Sequence, residues 1–482
     1  MDNKTSENSG QESPVPVFAI IGHPNEGKSS VVSTLAENDR VRVGPMPGET
    51  LVCEPLSVTI DGKKIITFVD TPGFQNPRET LAWMRRYQGP DELLTQSFID
   101  AHKDNPRFRD ECELLKPVAR GAGIIYVVDG SRPIRNIDKI EMEILRLTAR
   151  PRMSVINCKS HHTQWLDQWK TAFRRNFNAT RIFNAHKATW IERIDLLESL
   201  KVVDQEWQPA ISHVIDEFKK EWNHRNELTA SMTVEMLQKI LTFSTTTVIK
   251  NEAKFDAVKK SMEDVFRKEL EQIEKETHSK IRLLYRHNIF NCELPPNSIL
   301  HEELFSRKTW QFLGLSPGEL SMAAGFAGGA AGALVDVVAA GLTFGIFAAL
   351  GGVAGAGYAL LKGRGMADLK FKGIPLGRDQ LKIGPLCSLQ FMYILLDRLL
   401  IFHGSVINWA HARRDGFENV HDEAAKKVKQ GITSGWSDDW KKVCGAFFQN
   451  ICPKKNRNGS DLPSDIRIKM EGIIKTALEK QD

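Results

Sequence analysis

The sequence predicts an N-terminal α/β P-loop domain, with a mostly parallel sheet and helices on both faces, followed by a mostly helical C-terminal region. Two observations predict this fold class. Up to about residue 190, apolar runs typical of buried strands alternate with helical stretches, and such alternation favours parallel strands with helical crossovers. From about Asp204 onward, the apolar spacing is that of helices alone.

Length and composition predict a globular chain of two or three domains. The chain has 482 residues, 26% charged and 41% hydrophobic, so it can form a large core. A net charge of +5 is too small at this length to indicate nucleic acid or a membrane surface by itself. The seven cysteines are scattered without a C-x-x-C pair, which predicts reduced cytosolic thiols. The polar residues 1–14 have no signal-peptide pattern and are expected to form a flexible lead-in.

A glycine-rich loop follows the first apolar run. Residues Gly22–Ser29 read Gly-x-x-x-x-Gly-Lys-Ser between a predicted strand, Val15–Ile21, and a helical start at Ser30. Backbone N–H groups of such a loop surround phosphates, which predicts a P-loop nucleoside-triphosphatase domain. Lys28 would reach the β- and γ-phosphates, and the Ser29 hydroxyl would hold Mg²⁺. The residues expected to bind the phosphates are Asn25, Glu26, Gly27, Lys28, Ser29 and Ser30.

Two later segments predict a nucleotide-dependent switch. Thr50 lies in a Pro- and Gly-rich stretch and could place its hydroxyl on Mg²⁺ and its N–H on the γ-phosphate; an ordinary surface loop is the alternative. A predicted hairpin over 58–69 runs into Asp70-Thr71-Pro72-Gly73. Gly73 would offer its N–H to the γ-phosphate, so hydrolysis would release a long switch region, residues 74–117. We expect catalysis to involve Lys28, Thr50 and Gly73, and Mg²⁺ to be held by Ser29, Thr50 and Asp70.

Residues 15–190 resemble the small GTPase domains of the Era, TrmE and FeoB type. Gly22–Ser29 matches the first family motif, Thr50 the switch-one threonine, and Asp70–Gly73 the DTPG motif. The resemblance implies GTP and GDP as ligands, with Mg²⁺. In TrmE-like and FeoB-like members the P-loop Asn helps to bind K⁺, and Asn25 occupies that position. The resemblance therefore implies potassium-stimulated hydrolysis; alternatively, Asn25 only shapes the loop.

Two positions depart from the family pattern. Phe74 stands where Ras-type enzymes carry a catalytic Gln, which predicts slow turnover or activation by a protein partner, a dimer or a cation. The guanine motif Asn-Lys-x-Asp reads Asn157-Cys158-Lys159-Ser160, and the neutral Ser160 cannot supply the charge-assisted acceptor for guanine. Base specificity is therefore open. We expect the base-side residues to be Asn157, Asn184 and Ala185.

The C-terminal half is predicted to be mostly helical. Apolar residues three to four apart over Ala253–Tyr285 predict a long amphipathic helix, and Leu386–Arg414 and Ser464–Leu478 predict two more. The predicted domains are a GTPase domain over 15–200, a helical region over 201–318, a Gly-rich apolar hairpin over 319–363 and a helical C-terminal region over 364–482.

The Gly-rich segment 321–361 suggests contact with a membrane. Asp336 is its only charged residue, and several of its glycines are four apart, which lets helices approach closely in lipid. Val337–Leu361 supplies 25 residues, against the roughly 20 that a span needs. Basic residues flank both ends, as in a hairpin with cytoplasmic ends. We therefore expect a cytoplasmic protein at the cytoplasmic face of the inner membrane; a packed hairpin inside a soluble domain is the alternative.

Most of the chain is similar to a bacterial family that joins an Era-like GTPase domain to a C-terminal domain of unknown function. The similarity lies in Asp70–Arg78, the Gly-rich 322–361 segment, Leu395–Arg398 and Ala410–Arg414. The sequence thus predicts a slow, Mg²⁺-dependent GTPase switch at or near a membrane. A membrane-associated nucleotide-binding scaffold with little hydrolysis is the alternative. Nucleic acid is not an expected partner, since the sequence has no RNA-binding signature.

Overall fold

A six-stranded sheet organises the first part of the chain in the computed structural model. Its strands are β1 (Val17–Ile21), β2 (Glu54–Ile60), β3 (Lys63–Asp70), β4 (Gly123–Asp129), β5 (Arg152–Asn157) and β6 (Ala179–Phe183). The strand order is β2-β3-β1-β4-β5-β6, with β2 antiparallel to β3 and every other pair parallel. The predicted mostly parallel sheet and the predicted hairpin are both confirmed.

The structure describes a defined set of residues. They are 15–36, 50–60, 62–158, 164–185, 188–248, 255–285, 298, 300, 302–305, 309, 313, 358–361, 370–371, 374–375, 380–407, 431–452 and 462–481.

Helices cover both faces of this sheet. They are α1 (Lys28–Leu35), α2 (Pro77–Met84), α3 (Leu94–His102), α4 (Arg109–Ala119), α5 (Asn136–Leu147), α6 (Leu166–Phe173) and α7 (Trp190–Lys201). Successive side chains of a strand point to opposite faces. In β1, Phe18 and Ile20 accordingly belong to one buried apolar cluster, and Ala19 and Ile21 belong to the other. The core therefore lies in two layers, one on each side of the sheet.

The region predicted as one long switch, residues 74–117, is mostly helical. It contains α2, α3 and α4, with 3₁₀ turns at Asp91–Leu93 and Pro106–Phe108. These helices are ordered because their apolar side chains, among them Phe98 and Leu114, are fully buried in the core on that face of the sheet. The helices of residues 74–117 are thus packed on the sheet, and the role of this region as a switch stays a prediction.

The chain divides into two compact units. One comprises residues 1–223 with 286–291 and 407–415, and the other comprises 224–285, 292–406 and 416–482. The second unit contains the latter part of α8 (Gln208–Thr242), α9 (Phe255–Leu284), α10 (Leu389–Ile407), α11 (Asp438–Ile451) and α12 (Ser464–Glu479). Its short strands are β7 (Thr245–Val248), β8 (Tyr358–Leu361), β9 (Lys370–Phe371), β10 (Ile374–Pro375) and β11 (Gln380–Ile383). The predicted mostly helical character is confirmed.

Helix α10 forms the core of the second unit. Ten successive residues, Phe391–Leu400, are buried, so the helix is covered on all sides rather than along one face. Its two charged residues are paired: Arg398 Nε lies 2.6 Å from Glu274 Oε1, and Asp397 Oδ1 accepts the Thr433 N–H at 2.7 Å. Within the described part of the chain, α10 is the one helix long and apolar enough to cross a bilayer, and most of it is buried inside the protein.

Two predictions about the C-terminal half need correction. Tyr358–Leu361 forms β8, which pairs antiparallel with β11, so four residues near the end of the predicted apolar hairpin, 319–363, belong to a sheet. The other residues of that hairpin, 319–357 and 362–363, lie outside the described residues. Cys387 and Cys452 are joined as a disulfide, although reduced thiols were predicted. They are 65 residues apart, a separation that carries no pairing signal in the sequence.

Candidate functional site

The phosphate loop lies at the carboxyl end of β1 and leads directly into α1. Gly27, just before the helix, has a left-handed φ of 94°, which glycine adopts without strain. A Cβ on Gly22 would lie 2.3 Å from the Val127 carbonyl oxygen, so only glycine lets the loop pass β4. The Lys28 ammonium donates to the carbonyl oxygens of Gly22 at 3.2 Å and His23 at 3.1 Å. The lysine is therefore held against the loop that the sequence assigns to phosphate.

Three residues far apart in sequence meet beside this loop. The Ser29 hydroxyl donates to Asp70 Oδ2 at 2.6 Å, and the Thr50 hydroxyl donates to the same oxygen at 3.1 Å. The two hydroxyl oxygens are 3.5 Å apart. The structure therefore brings together the three residues predicted to hold Mg²⁺, although they come from α1, the segment before β2 and the end of β3.

The chemistry of this group fits Mg²⁺. Asp70 is only 2% exposed, and its other oxygen, Oδ1, is buried without a hydrogen-bond partner among the described residues. Burial raises the pKa of the Asp70 carboxyl, and the Ser29 hydroxyl and Lys28 oppose this rise. A carboxylate beside two hydroxyls is an all-oxygen donor set of the kind that Mg²⁺ takes. A cation here would supply the partner that Oδ1 lacks.

The segment after Asp70 packs tightly on the phosphate loop. A Cβ on Gly73 would lie 2.6 to 2.7 Å from atoms of Pro24, so the two backbones approach at a distance that only glycine permits. Phe74 is fully buried in the core and therefore cannot serve as a solvent-facing catalytic side chain. The neighbouring Gln75 is exposed, and its backbone N–H donates to Glu111 Oε1 at 2.7 Å.

The predicted base side is assembled around Asn157. This buried side chain donates to the Glu26 carbonyl oxygen at 3.1 Å and accepts the Ala185 N–H at 3.3 Å. The Thr34 hydroxyl donates to the Ala185 carbonyl oxygen at 2.8 Å, which ties the same segment to α1. Asn184, next in sequence, is half-buried. Lys159 and Ser160 lie outside the described residues, so guanine recognition stays a prediction, as does K⁺ binding by the exposed Asn25.

Glu26 has a role that the motif did not indicate. Its side chain is buried and accepts hydrogen bonds from Arg132 Nε at 3.0 Å, from Arg135 at 3.3 Å and from the Asp129 N–H. Arg132 also donates to Asp138 Oδ2 at 2.7 Å. Burial raises the pKa of Asp138, but hydrogen bonds from the two arginines outweigh burial and lower it overall. This ion network joins the phosphate loop to the β4–α5 connection.

A second buried acid lies under the phosphate loop. Glu141 on α5 is fully buried, with Oε1 2.8 Å from His23 Nδ1, and its Oε2 accepts the Tyr126 hydroxyl at 2.8 Å. Burial raises the pKa of Glu141, opposed mainly by the contact with His23. Sequence reasoning named Glu26 only as a phosphate-loop residue and did not predict its burial or its ion pairs. It did not name Glu141, which lies on a helix with many charges.

The sheet order, the phosphate loop after β1 and the serine–threonine–aspartate group define the N-terminal unit as a P-loop GTPase fold. A family model described as 50S ribosome-binding GTPase matches residues 17–158. The chain belongs to the family described as domain of unknown function DUF3482, whose model matches residues 170–471. The predicted pairing of a GTPase domain with a C-terminal domain of unknown function is confirmed.

The chain spans less than half the length of each of two curated relatives. GTPase Der of Pseudothermotoga lettingae is 45% identical over 142 residues, which are 30% of this chain and 28% of that protein. GTPase Der of Thermotoga sp. strain RQ2 is 25% identical over 227 residues, which are 47% of this chain and 44% of that protein.

Similar solved structures include two nucleotide complexes. A variant of Aquifex aeolicus Era bound to GDP·AlF₄⁻ is 15% identical, covering 56% of this chain and 89% of its own, with a TM-score of 0.27. S. thermophilus NFeoB bound to GDP·AlF₄⁻ and K⁺ is 21% identical, covering 55% of this chain and 91% of its own, with a TM-score of 0.25.

Proposed function

We propose that this chain binds GTP and hydrolyses it with Mg²⁺ as a slow nucleotide switch. The observation that carries the proposal is the meeting of Ser29, Thr50 and Asp70 beside the phosphate loop, with hydroxyl–carboxylate distances of 2.6 and 3.1 Å. Ser29, Thr50 and Asp70 would hold Mg²⁺, which neutralises charge on the β- and γ-phosphates. Lys28 would stabilise negative charge on the same phosphates.

The expected slowness follows from Phe74. A buried phenylalanine cannot orient water, and Gln75 is exposed one residue later. A GTPase without a water-orienting side chain depends on electrostatic stabilisation by its phosphate loop and on help from outside. We propose that this help comes from a protein partner, from a second copy of the chain, or from K⁺ held near Asn25.

Calorimetric titration of the full chain with GDP, GTPγS and ADP in Mg²⁺ tests the binding claim. We expect GDP and GTPγS to bind at least tenfold more tightly than ADP, which corresponds to about 1.4 kcal/mol of discrimination for the guanine base. Equal affinity for ADP would overturn the guanine assignment and leave a P-loop protein of another base specificity. The variant Lys28→Ala should lose affinity for all three nucleotides, because it removes the positive charge of the loop.

Single-turnover hydrolysis separates the switch from a nucleotide-binding scaffold. The buried Phe74 is the observation that favours the scaffold, since it removes the usual water-orienting side chain. For a GTPase, GTP is cleaved slowly, and K⁺ accelerates cleavage relative to Na⁺ while Asn25→Ala removes the acceleration. If bound GTP stays intact with both cations, the scaffold is the correct description. An equal, measurable rate with both cations would reject only the role of Asn25.

We further propose that residues 321–357 bring the protein to the cytoplasmic face of the inner membrane. Their Gly-rich apolar composition, with Asp336 as the only charge, supports this proposal. Cell fractionation of the full chain and of a variant lacking 321–357 tests it. Membrane recovery that is lost on deletion, with nucleotide binding retained, is the expected result. A full chain that stays in the soluble fraction would reject membrane association.

A further inference from the structure

Helix α4 lies between the two segments that the proposed switch would move. It begins at Arg109, directly after the 3₁₀ turn Pro106–Phe108, and it contacts β1 on one face of the sheet. Two glutamates on this helix, Glu111 and Glu113, make hydrogen bonds to backbone N–H groups outside it. Residues two apart on a helix point about 200° apart, so the two side chains leave α4 in opposite directions.

Glu111 holds the segment that follows Gly73. Its side chain is fully buried, and Oε1 accepts the N–H groups of both Gln75, at 2.7 Å, and Asn76. The Asn76 side chain reaches the same region and donates to the Arg107 carbonyl oxygen at 2.7 Å. The backbone immediately after Gly73 is therefore fixed by the start of α4 and the turn before it.

The other oxygen of Glu111 sets this carboxylate apart from an ordinary structural one. Oε2 is buried and has no hydrogen-bond partner within the described part of the chain. An unsatisfied buried carboxylate oxygen is costly, and native proteins keep few of them. Glu111 Oε2 can therefore accept a further hydrogen bond where the segment after Gly73 is held. A backbone N–H of that segment could donate this bond after a shift.

Glu113 holds the segment that follows Thr50. Its Oε1 accepts the Cys53 N–H at 3.1 Å, and its carbonyl oxygen accepts the Cys53 thiol at 3.1 Å. Burial, with a smaller contribution from Glu113, raises the pKa of the Cys53 thiol to about 12, so this cysteine remains a neutral donor. Cys53 is three residues after Thr50, so the end of the first switch segment is also fixed by α4.

We infer that α4 couples the two switch segments, with Glu111 positioning Gly73 and Glu113 positioning Thr50. The inference rests on the proposed function, because it assigns the γ-phosphate contacts to Gly73 and Thr50. GTP has a γ-phosphate for Gly73 and Thr50 to contact, and GDP does not. Because the two glutamates position these residues, they favour binding of GTP over GDP. They are positioning residues, since neither would touch the nucleotide itself.

The ratio of GTPγS to GDP affinity tests this inference in the full chain. We expect Glu111→Ala and Glu113→Ala each to lower that ratio about tenfold, mostly through weaker GTPγS binding, the size expected for losing charge-assisted hydrogen bonds. Glu111→Gln keeps one oxygen for the two N–H groups and should stay within about threefold of the wild-type ratio. Asp110→Ala is the matched control, because it removes an acid from the same helical turn without a hydrogen bond to either segment.

Hydrogen exchange on the wild-type protein gives an independent test that needs no variant to fold. Amides in residues 51–54 and 74–80 should both exchange more slowly with GTPγS than with GDP. If neither alanine variant changes the affinity ratio, or if only one segment responds in exchange, the coupling by α4 is rejected. If the wild-type chain binds no guanine nucleotide, the proposed function fails instead. Should Glu111→Ala fail to fold, Glu113→Ala and the exchange experiment decide.

Discussion

Asp70 connects three parts of the site through a single carboxylate. Its Oδ2 accepts two hydroxyls, whereas Oδ1 has no described partner. The isosteric change Asp70→Asn should abolish the advantage that Mg²⁺ gives to GDP binding, because an amide gives a cation no negative charge. We expect at least a tenfold loss of affinity in Mg²⁺, in the range seen when groups around a metal ion are changed.

Titration of wild-type and Asp70→Asn protein with GDP, in Mg²⁺ and in EDTA, provides the measurement. Wild-type protein in EDTA is the control, and its affinity should approach that of the variant. A variant that still binds GDP more tightly in Mg²⁺ than in EDTA would show that the cation is held elsewhere.

The close approach of Gly73 to Pro24 leads to a second prediction about a single residue. Gly73→Ala would place a carbon 2.6 Å from Pro24 Cδ, so the backbone after β3 must move away from the phosphate loop. We expect hydrolysis to fall at least tenfold while GDP affinity changes less than about threefold, since Gly73 serves the γ-phosphate. Single-turnover hydrolysis and calorimetry measure the two quantities. Gly472→Ala is the control, because a Cβ there meets no atom within 4 Å.

Single residues differ in how well the sequence reveals them. The sequence singles out Lys28, Ser29 and Asp70 as site candidates because phosphate and Mg²⁺ chemistry requires those residue types at restricted spacings, and the structure places all three at the phosphate loop. The burial of Glu26, Glu111 and Glu141 was not predictable, because a glutamate at a variable motif position or on a charged helix is usually solvated, and only the folded packing shows that all three are buried.

Among the structural elements, the connection between β4 and α5 is held to the phosphate loop by ion pairs. Arg132 pairs with Glu26 and with Asp138, both of which are buried. Removing one member of a buried pair leaves uncompensated charge, which costs about 3 kcal/mol or more. We therefore expect Arg132→Met to lower the free energy of unfolding by about 3 kcal/mol.

Denaturant unfolding of the two proteins at neutral pH measures this difference. The control is Arg146→Met, since Arg146 pairs with Glu143 on the surface of α5 and should cost less than about 1 kcal/mol. Equal effects of the two substitutions would mean that the network around Glu26 contributes no more than a surface ion pair.

Elements were predictable where one periodicity dominates. The strand β4 is an almost continuous apolar run, β5 has apolar residues at Met153, Val155 and Ile156, and α9 carries apolar residues three to four apart, so both types of element were identified. The helices α2 to α4 follow a glycine motif that favours a mobile loop, and their charged residues obscure the apolar face that packs on the sheet. Helix α10 is buried on all sides with its charged residues paired, and its sequence alone does not distinguish such a core helix from a membrane-spanning one.

At the scale of the whole molecule, the second unit should be sensitive to acid. His403 is fully buried there and His278 is half-buried, and removal of their rings from water lowers the pKa of each from 6.5 to about 4. His278 lies near Glu274 and Arg398, and His403 contacts the Tyr285 hydroxyl and Gln481. As the pH falls, these histidines become protonated in the unfolded chain before they do so in the folded protein. Their contribution to the free energy of unfolding is therefore fully present above pH 6.5 and is lost as the pH falls toward 4.

The expected loss is about 2 kcal/mol per histidine at pH 5 relative to pH 7.5. Guanidinium unfolding at the two pH values measures it, and His403→Gln should remove about half of this histidine contribution. His213→Gln is the control because His213 is exposed. A pH dependence that His403→Gln leaves unchanged would show that other groups are responsible.

The sequence pattern changes near Asp204, whereas the two units divide after residue 223, within α8, and the composition of the second unit was not predictable. Its described residues come from the ranges 224–285, 292–406 and 416–482, so parts of the chain that are distant in sequence share one core. Pairings such as β7 with β11 and Cys387 with Cys452 join residues that no local pattern relates.

The ion network around Glu26 also predicts how residues vary among related sequences. The phosphate-loop motif leaves position 26 unspecified, yet here that residue shares a buried site with Arg132 and Arg135. A relative that carries an apolar residue at this position would leave Arg132 and Arg135 to share the carboxylate of Asp138, unless position 132 had changed as well. Substitutions at the two positions should therefore occur together across related sequences, and an alignment in which they vary independently would contradict this expectation.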